Sequence, residues 1–309
     1  MRGREFFGGI LCPFHMTEGN EPMKNNRFVA AVLTPGFVFM LIFAVFPVAY
    51  GLGISFYDYN PASTHNLFLG IENYKRLIQD ETFWKAVRNT VFFCVAAVAG
   101  NIVITLFLAK IISVLPSKRL KTLFRTILFI PCIAPMVGTS MVWKYGIVGT
   151  DGGTINQILA FFGRSPKNWL LTTLPLMIII IVYTLWADIG YNVDGRSAQR
   201  GSGGAPAIDG AGPIRRFISI KLPLMGRTFA FVTIMTMANY FQMFAQFRIF
   251  AAKGGIDNSA MVLTNYIFKT SFLSFDMGYA SAIATALFLI VFLVALVQNK
   301  MMRSDWSYE

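Results

Sequence analysis

The sequence predicts an all-α integral membrane protein with six transmembrane helices and both termini in the cytoplasm. Three observations lead there. Of 309 residues, 55% are hydrophobic and only 14% charged, against roughly 25% charged in soluble domains. Six runs carry no charge: residues 28–57, 89–109, 126–143, 169–187, 228–247 and 277–299, each close to the roughly 20 residues a helix needs to cross a bilayer. With the N-terminus inside, 17 of the 27 Lys and Arg fall on the cytoplasmic side and 10 outside, the positive-inside bias of a multi-pass protein of the cytoplasmic membrane.

The same composition excludes other classes. A net charge of +12 would suit nucleic acid, but the basic residues are dispersed among apolar spans and form no stripe interleaved with aromatics. Cys12, Cys94 and Cys132 are too few for a disulfide scaffold, and two lie in apolar runs, so all three read as free thiols. Residues 1–27 read as a polar cytoplasmic tail without a cleaved signal, because the apolar stretch at 6–13 is too short for a signal core. Met16 and Met23 are alternative starts.

Residues 28–302 form the membrane domain. Helix one, 29–57, contains Pro35 and Pro47 and is expected to kink. An outer segment follows, whose amphipathic stretch (Tyr74, Leu77, Ile78, Phe83, Trp84, Val87) reads as an interfacial helix. Helix two, 89–114, is closed by Pro116 and Ser117. Helix three, 120–145, carries Pro131 and Pro135 at i, i+4, which should break it at mid-membrane. After a Gly-, Thr- and Asn-rich outer loop come helix four (172–193), helix five (227–250), helix six (278–302) and a cytoplasmic tail, 303–309. No repeat of 20–50 residues and no soluble domain is evident.

The cytoplasmic loop 207–224 is the most informative segment. Asp209 can cap or turn the chain, Gly210 and Gly212 allow close backbone approach, and Pro213 can open a short helix. In that helix Ile214, Phe217, Ile218 and Leu222 share a face while Arg215, Arg216 and Lys221 point elsewhere, and Pro223 ends it. Such a pattern is a docking element.

Ile208, Asp209, Gly210, Ala211, Phe217, Ile220, Leu222 and Pro223 resemble the second half of the "EAA" loop of permease subunits in bacterial ABC importers. The likeness is to the carbohydrate-uptake type that includes the maltose and glycerol-phosphate permeases. Further likenesses run through Pro35 and Pro47, Asn73-Tyr74, Phe83, Asn89-Thr90, Pro131 with Pro135, and Gly278-Tyr279-Ala280. The resemblance implies a type I importer fold and a coupling helix seated in a cleft of a cytoplasmic ATPase dimer. It also implies a second, homologous permease, an extracytoplasmic substrate-binding protein, and ATP and Mg held by the ATPase, with no cofactor on this chain. Residues 194–206 depart from the pattern: they are polar and Gly-rich, and the family glutamate and second alanine fall on Gly204 and Pro206. Either a local reading-frame error or a true variant with a weakened coupling joint accounts for this.

Helix five places Asn239, Gln242 and Gln246 at about 0°, 300° and 340° on a wheel of roughly 100° per residue, one narrow amide stripe flanked by Tyr240, Phe241, Phe244 and Phe247. Amides and aromatic faces suit sugar hydroxyls and C–H surfaces, so Asn239, Tyr240, Gln242 and Gln246 are candidate pathway residues; interhelical hydrogen bonding is the alternative. Asp188 follows an apolar run and reads as an interface residue paired with a basic loop, more than as a proton relay. Lys110 and Arg248, at helix ends, are expected to snorkel. Cys12 with His15, and the remote His65, do not make a metal site. No phosphate-binding Gly-x-x-x-x-Gly-Lys-Ser/Thr, nucleophile elbow or intramembrane carboxylate pair occurs, so no catalytic residue is assigned. The expected function is the permease of an ATP-driven importer of a sugar or polyol derivative. The alternatives are an ion-coupled secondary transporter, for which buried acids are scarce, and a membrane scaffold needing no polar path.

Overall fold

The computed structural model describes residues 26–63, 66–150, 152–197 and 226–302. Contacts divide the chain into two units, Met1–Tyr50 and Gly51–Glu309. In the first, α1 (Asn26–Met40) contains Pro35 and gives way to a π-helical turn, Leu41–Val45, before α2 (Phe46–Ile54) runs on into the second. Pro47 cannot donate to the carbonyl four residues back and crowds it; the wider π turn lies just where that bond is lost.

The second unit opens with two short strands, β1 (Tyr57–Asp58) and β2 (Leu67–Phe68), paired antiparallel, a small exception to the all-helical expectation. Then come α3 (Glu72–Gln79), α4 (Glu81–Val114), α5 (Lys118–Ile133) and α6 (Met136–Met141), which continues as a π turn, Val142–Ile147. After α7 (Thr154–Phe161) and α8 (Thr173–Ser197) the description resumes at α9 (Gly226–Phe241), α10 (Ala245–Phe250), α11 (Leu263–Phe268) and α12 (Met277–Met302).

Among the described residues four stretches are long and apolar enough to cross a membrane: Phe28–Ile54, Glu81–Ile112, Thr173–Gly190 and Met277–Gln298. Lys118–Ile133 with Met136–Ile147 makes a fifth if that pair, bent by 89° where Pro135 interrupts it, is one span. The segment expected as helix five is divided instead, its first part, α9, being only 16 residues long.

Helix two begins at Glu81, eight residues before the expected Asn89. The Asp80 side chain caps it, accepting from the Thr82 amide at 2.8 Å, and Glu81 sits in the first turn. A cap and an acid at the positive end of the helix dipole start a helix whatever the charge nearby. The supposed interfacial helix is therefore two pieces: Tyr74, Leu77 and Ile78 lie on α3, and Phe83, Trp84 and Val87 in the first turns of α4.

α4 packs against α8 and α9, and α5 against α8. The core joins Phe93 of α4, Ile180 and Tyr183 of α8, Phe247 of α10 and Ile283 of α12, all buried. Two approaches admit no side chain. A Cβ at Gly190 of α8 would lie 2.3 Å from the Leu128 carbonyl oxygen of α5, and one at Gly278 of α12 would lie 2.0 Å from that of Tyr57.

Buried polar side chains hold the places where helices stop. Asn73 Nδ2 donates to the carbonyls of Ser55 and Tyr57 (2.9 and 3.0 Å), and Asn89 Nδ2 to those of Asn258 and Met261 (2.8 and 3.0 Å). Thr90 Oγ1 accepts from the Leu263 amide at 3.0 Å, and Asn265 Nδ2 donates to Ala251 at 3.0 Å. Asp80 is the second kind of tie. Its Oδ2 accepts from the hydroxyls of Tyr266 and Tyr279, the latter at 2.6 Å, so α11 and α12 meet at the start of α4. Arg76 lies over the Tyr279 ring, 3.9 Å from its centroid, and bonds Asp276 at 2.7 Å, while Asp276 caps α12 through the Tyr279 amide at 3.1 Å. Burial opposes ionisation of Asp80, but hydrogen bonds from both tyrosines and from the Thr82 and Phe83 amides outweigh it and hold the carboxyl below the usual range.

Asn89→Ala leaves one buried and one partly buried carbonyl without their donor and is expected to cost roughly 2–4 kcal/mol. Thermal unfolding of the purified protein in detergent measures it, and an unchanged Tm would mean those carbonyls find other partners. Because the folded-state pKa of Asp80 is depressed, the stability it contributes is present above the ordinary carboxylate pKa of about 3.9 and is lost as pH falls below it. The Tm of the wild type should therefore fall more steeply below pH ~4 than that of Asp80→Asn; parallel profiles would remove this role.

Candidate functional site

Two helix interruptions face one cavity. Pro131 and Pro135 end α5 and turn the chain into α6, with Ala134 extended between them. Between α9 and α10, residues 242–244 leave the helix: the Gln242 amide bonds Asn239 O at 3.1 Å, the Met243 amide bonds Tyr240 O at 3.3 Å, and Phe244 takes φ −127°, ψ −53°. No Pro or Gly lies there. Thr264 Oγ1 donates to Met243 O within the break, and Lys144 Nζ to Ile249 O at the far end of α10, each at 2.6 Å. Arg248 Nη1 likewise donates to Ala252 O at 2.6 Å and stacks 4.7 Å from the Phe268 ring centroid, so it closes α10 where the sequence suggested snorkelling.

The cavity measures about 440 Å³. Met136 and Asp188 line it together with Thr236, Asn239, Tyr240, Gln242, Met243, Phe244 and Gln246. All four candidate pathway residues, Asn239, Tyr240, Gln242 and Gln246, thus reach a common space. They do not reach it as one continuous helical stripe. Asn239 and Gln242 are exposed, Gln246 is 1% exposed, and the turn at 242–244 replaces the expected helical spacing. Gln242 Nε2 donates to Ala238 O at 3.1 Å and Gln246 Nε2 to Met243 Sδ at 2.5 Å.

Asp188 lies at this wall, in hydrogen-bonding contact with the Tyr240 hydroxyl. The Tyr240 oxygen in turn accepts from Asn101 Nδ2 at 3.2 Å, and Asn101 Oδ1 from Thr105 Oγ1 at 3.3 Å, a buried polar chain from α4 through α9 to α8. The sequence placed Asp188 at the interface; its position at the end of a charge-free run, two residues after Trp186 on α8, carried no sign of which helix it meets. A second cavity, also about 440 Å³, is lined by Leu69, Glu72, Asn73, Arg76, Gln79 and Asp80. Its Arg76 and Asp80 are committed to Asp276 and to the two tyrosines.

The loop residues Ile208, Asp209, Gly210, Ala211, Phe217, Ile220, Leu222 and Pro223 lie outside the described residues, as do Cys12, His15, His65, the tail 303–309 and all but the helical start of 194–206. Among the described residues Cys94 and Cys132 form no disulfide, and Cys132 Sγ donates to Ala187 O at 3.0 Å. Among the described residues no three His, Cys, Asp or Glu side chains converge as a metal site.

No family model matches the chain. It is similar to the lactose transport system permease protein LacF of Rhizobium radiobacter, 30% identical over 272 residues, covering 86% of this chain and 89% of that protein. It is also similar to the sn-glycerol-3-phosphate transport system permease protein UgpA of Escherichia coli (strain UTI89 / UPEC), 25% identical over 299 residues, covering 94% and 99%. Among solved structures, a chain of a bacterial alginate ABC transporter, in complex with an alginate pentasaccharide-bound periplasmic protein, superposes with a TM-score of 0.79 at 21% identity, covering 91% of this chain and 95% of that one.

Proposed function

The chain belongs to the permease subunits of carbohydrate-uptake ABC importers, proteins of the inner membrane, and on that premise we propose that it forms part of an ATP-driven pathway for a sugar or polyol derivative. The observation that carries this reading is the cavity between the two helix breaks. Hydrocarbon excludes unpaired amides, so Asn239, Gln242 and Gln246 gathered on one space inside a helical bundle, beside Met136, Met243 and Phe244, suit a passenger with both hydroxyl and C–H surface. Helix ends and irregular backbone at membrane depth are tolerated where they line such a space.

Six crossings follow on this reading: α1–α2, α4, α5–α6, α8, α9–α10 and α12, with both termini inside. The second permease completes the pathway. Loop 207–224 seats on an ATPase dimer that binds ATP and Mg, and an external binding protein delivers substrate, as the periplasmic protein in the alginate transporter complex suggests. Nucleotide binding closes the ATPases, the coupling helices follow, and the bundle opens outward; hydrolysis reverses the motion. Chemistry stays on the partner, and this chain supplies the path and the mechanical link.

Gly210→Trp is expected to abolish both uptake and substrate-stimulated ATP hydrolysis while the chain stays in the membrane. Uptake at the normal rate by the reconstituted complex would refute the coupling role. Gln242→Ala is expected to lower uptake per assembled complex by roughly twofold to tenfold, the worth of one neutral hydrogen bond, with assembly and basal ATPase activity intact. Reduced recovery of complex with normal uptake per complex would assign the amides to helix packing instead.

A further inference from the structure

We propose that α7 is a membrane anchor, its apolar face of Ile158, Phe161 and Phe162 seated in the outer leaflet of the bilayer. The choice of leaflet rests on the six-crossing reading above; contact with lipid does not.

α7 is eight residues long, about 12 Å at 1.5 Å per residue, and cannot cross a hydrocarbon core of roughly 30 Å. Its two sides differ. Asn156 is buried and Ile155 and Leu159 are partly buried, whereas Ile158, Phe161 and Phe162, at i, i+3 and i+4, are 53%, 85% and 72% exposed. The two phenylalanine rings meet edge to face, with 5.4 Å between centroids.

The face is held in place by the chain itself. The Gly163 amide donates to Ala160 O and the Arg164 amide to Leu159 O, each at 2.9 Å, with Gly163 at φ 70°, so the helix is closed directly behind the phenylalanines. Asn156 Nδ2 donates to Gly149 O at 3.1 Å and Lys167 O at 3.0 Å, and its Oδ1 accepts from the Lys167 amide at 3.1 Å and Trp169 Nε1 at 2.9 Å. Thr154 Oγ1 donates to Gly146 O at 3.0 Å. α7 is thereby tied to the π turn after α6 and to the residues that lead into α8, and an anchor here sets the depth of both.

Continuity with α8 identifies the occupant. Leu171, Leu174, Ile178 and Val182, at spacings of 3, 4 and 4, are exposed on one face that runs into that apolar span, and Trp169 holds α7 at the head of the stripe. In a protein of the inner membrane such a stripe suits acyl chains, and the bilayer that covers it ends at the level of α7. Exposed Arg164 and Lys167 follow the phenylalanines. Rings at the acyl boundary and cations at the depth of the lipid phosphates are the order of a membrane edge.

The test uses the complete importer, with its partner permease and ATPase, in vesicles of phosphatidylethanolamine and phosphatidylglycerol, before and after addition of the binding protein. A nitroxide is attached at Phe161→Cys or Phe162→Cys in a background in which Cys12, Cys94 and Cys132 are replaced by Ala. Oxygen, which concentrates among acyl chains, should collide with both labels severalfold more often than a water-soluble nickel chelate does. Three results overturn the proposal. Nickel collisions above oxygen put the face in water, and their loss on addition of the binding protein assigns it to that protein. Few collisions with either reagent before that addition assign it to the partner permease. Should a Cys variant fail to assemble, the wild-type complex decides: a phospholipid with a diazirine near the headgroup end of its acyl chain should label peptide 154–164, and label on 171–186 with none on 154–164 overturns the anchor. Impermeant ascorbate reports the leaflet. Reduction of the labels from the cytoplasmic side alone would support contact with lipid and overturn the six-crossing topology, a different failure from the loss of the anchor.

Discussion

A carbonyl that loses its helical partner inside a bilayer has no water to turn to, and several polar side chains of this protein answer that constraint. Asn73, Asn89, Asn265 and Thr264 each donate to carbonyls where a helix stops. Lys144 does the same from the π turn after α6, reaching Ile249 O across the fold. The irregular backbone between α9 and α12 is therefore fastened, and the core of Phe93, Tyr183 and Phe247 packs against a fixed frame. Remove the donors and the broken helices have no reason to stay broken where they are.

The cavity follows from the same rule. Proline ends α5 by chemistry of its own, since its nitrogen has no proton to give. The break at 242–244 has no such local cause; Thr264 satisfies the Met243 carbonyl within it, and the Gln242 side chain the Ala238 carbonyl before it. Facing one another, the two breaks leave room where continuous helices would have closed ridge into groove. Polar groups already needed for backbone satisfaction and for the Asn101–Tyr240–Asp188 chain then line that room.

What could be read from the sequence tracks what is local. Charge-free runs located the apolar stretches now seen in α1–α2, α4, α5–α6, α8 and α12, because the requirement is set by the bilayer and is nearly independent of neighbours. Pro131 and Pro135 announced their own break. The start of α4 was placed too late because Lys85 and Arg88 look like an outer loop, although Asp80 followed by Glu81 is a readable cap. The turn at Gln242–Phe244 was illegible: nothing in Asn-Tyr-Phe-Gln-Met-Phe opposes a helix, and the hydroxyl that holds its Met243 carbonyl lies about 20 residues on. The amides share one cavity without forming the expected continuous helical stripe for that reason. Asn73, Asn89 and Thr90 entered only as matched motif positions, and the carbonyls that the two asparagines hold and the Leu263 amide that Thr90 accepts from supply the physical ground for them.

Gly190 and Gly278 sit where a Cβ would meet backbone oxygen at 2.3 and 2.0 Å, with no flexible side-chain end to give way. At Gly278 the approach is enforced, since its amide and that of Met277 both donate to Tyr59 O at 3.1 and 3.0 Å. Every other amino acid carries that Cβ. For the gene, these two codons are thus positions at which all missense changes share one defect before their particular side chains matter, and drift to a near neighbour such as alanine offers no halfway state.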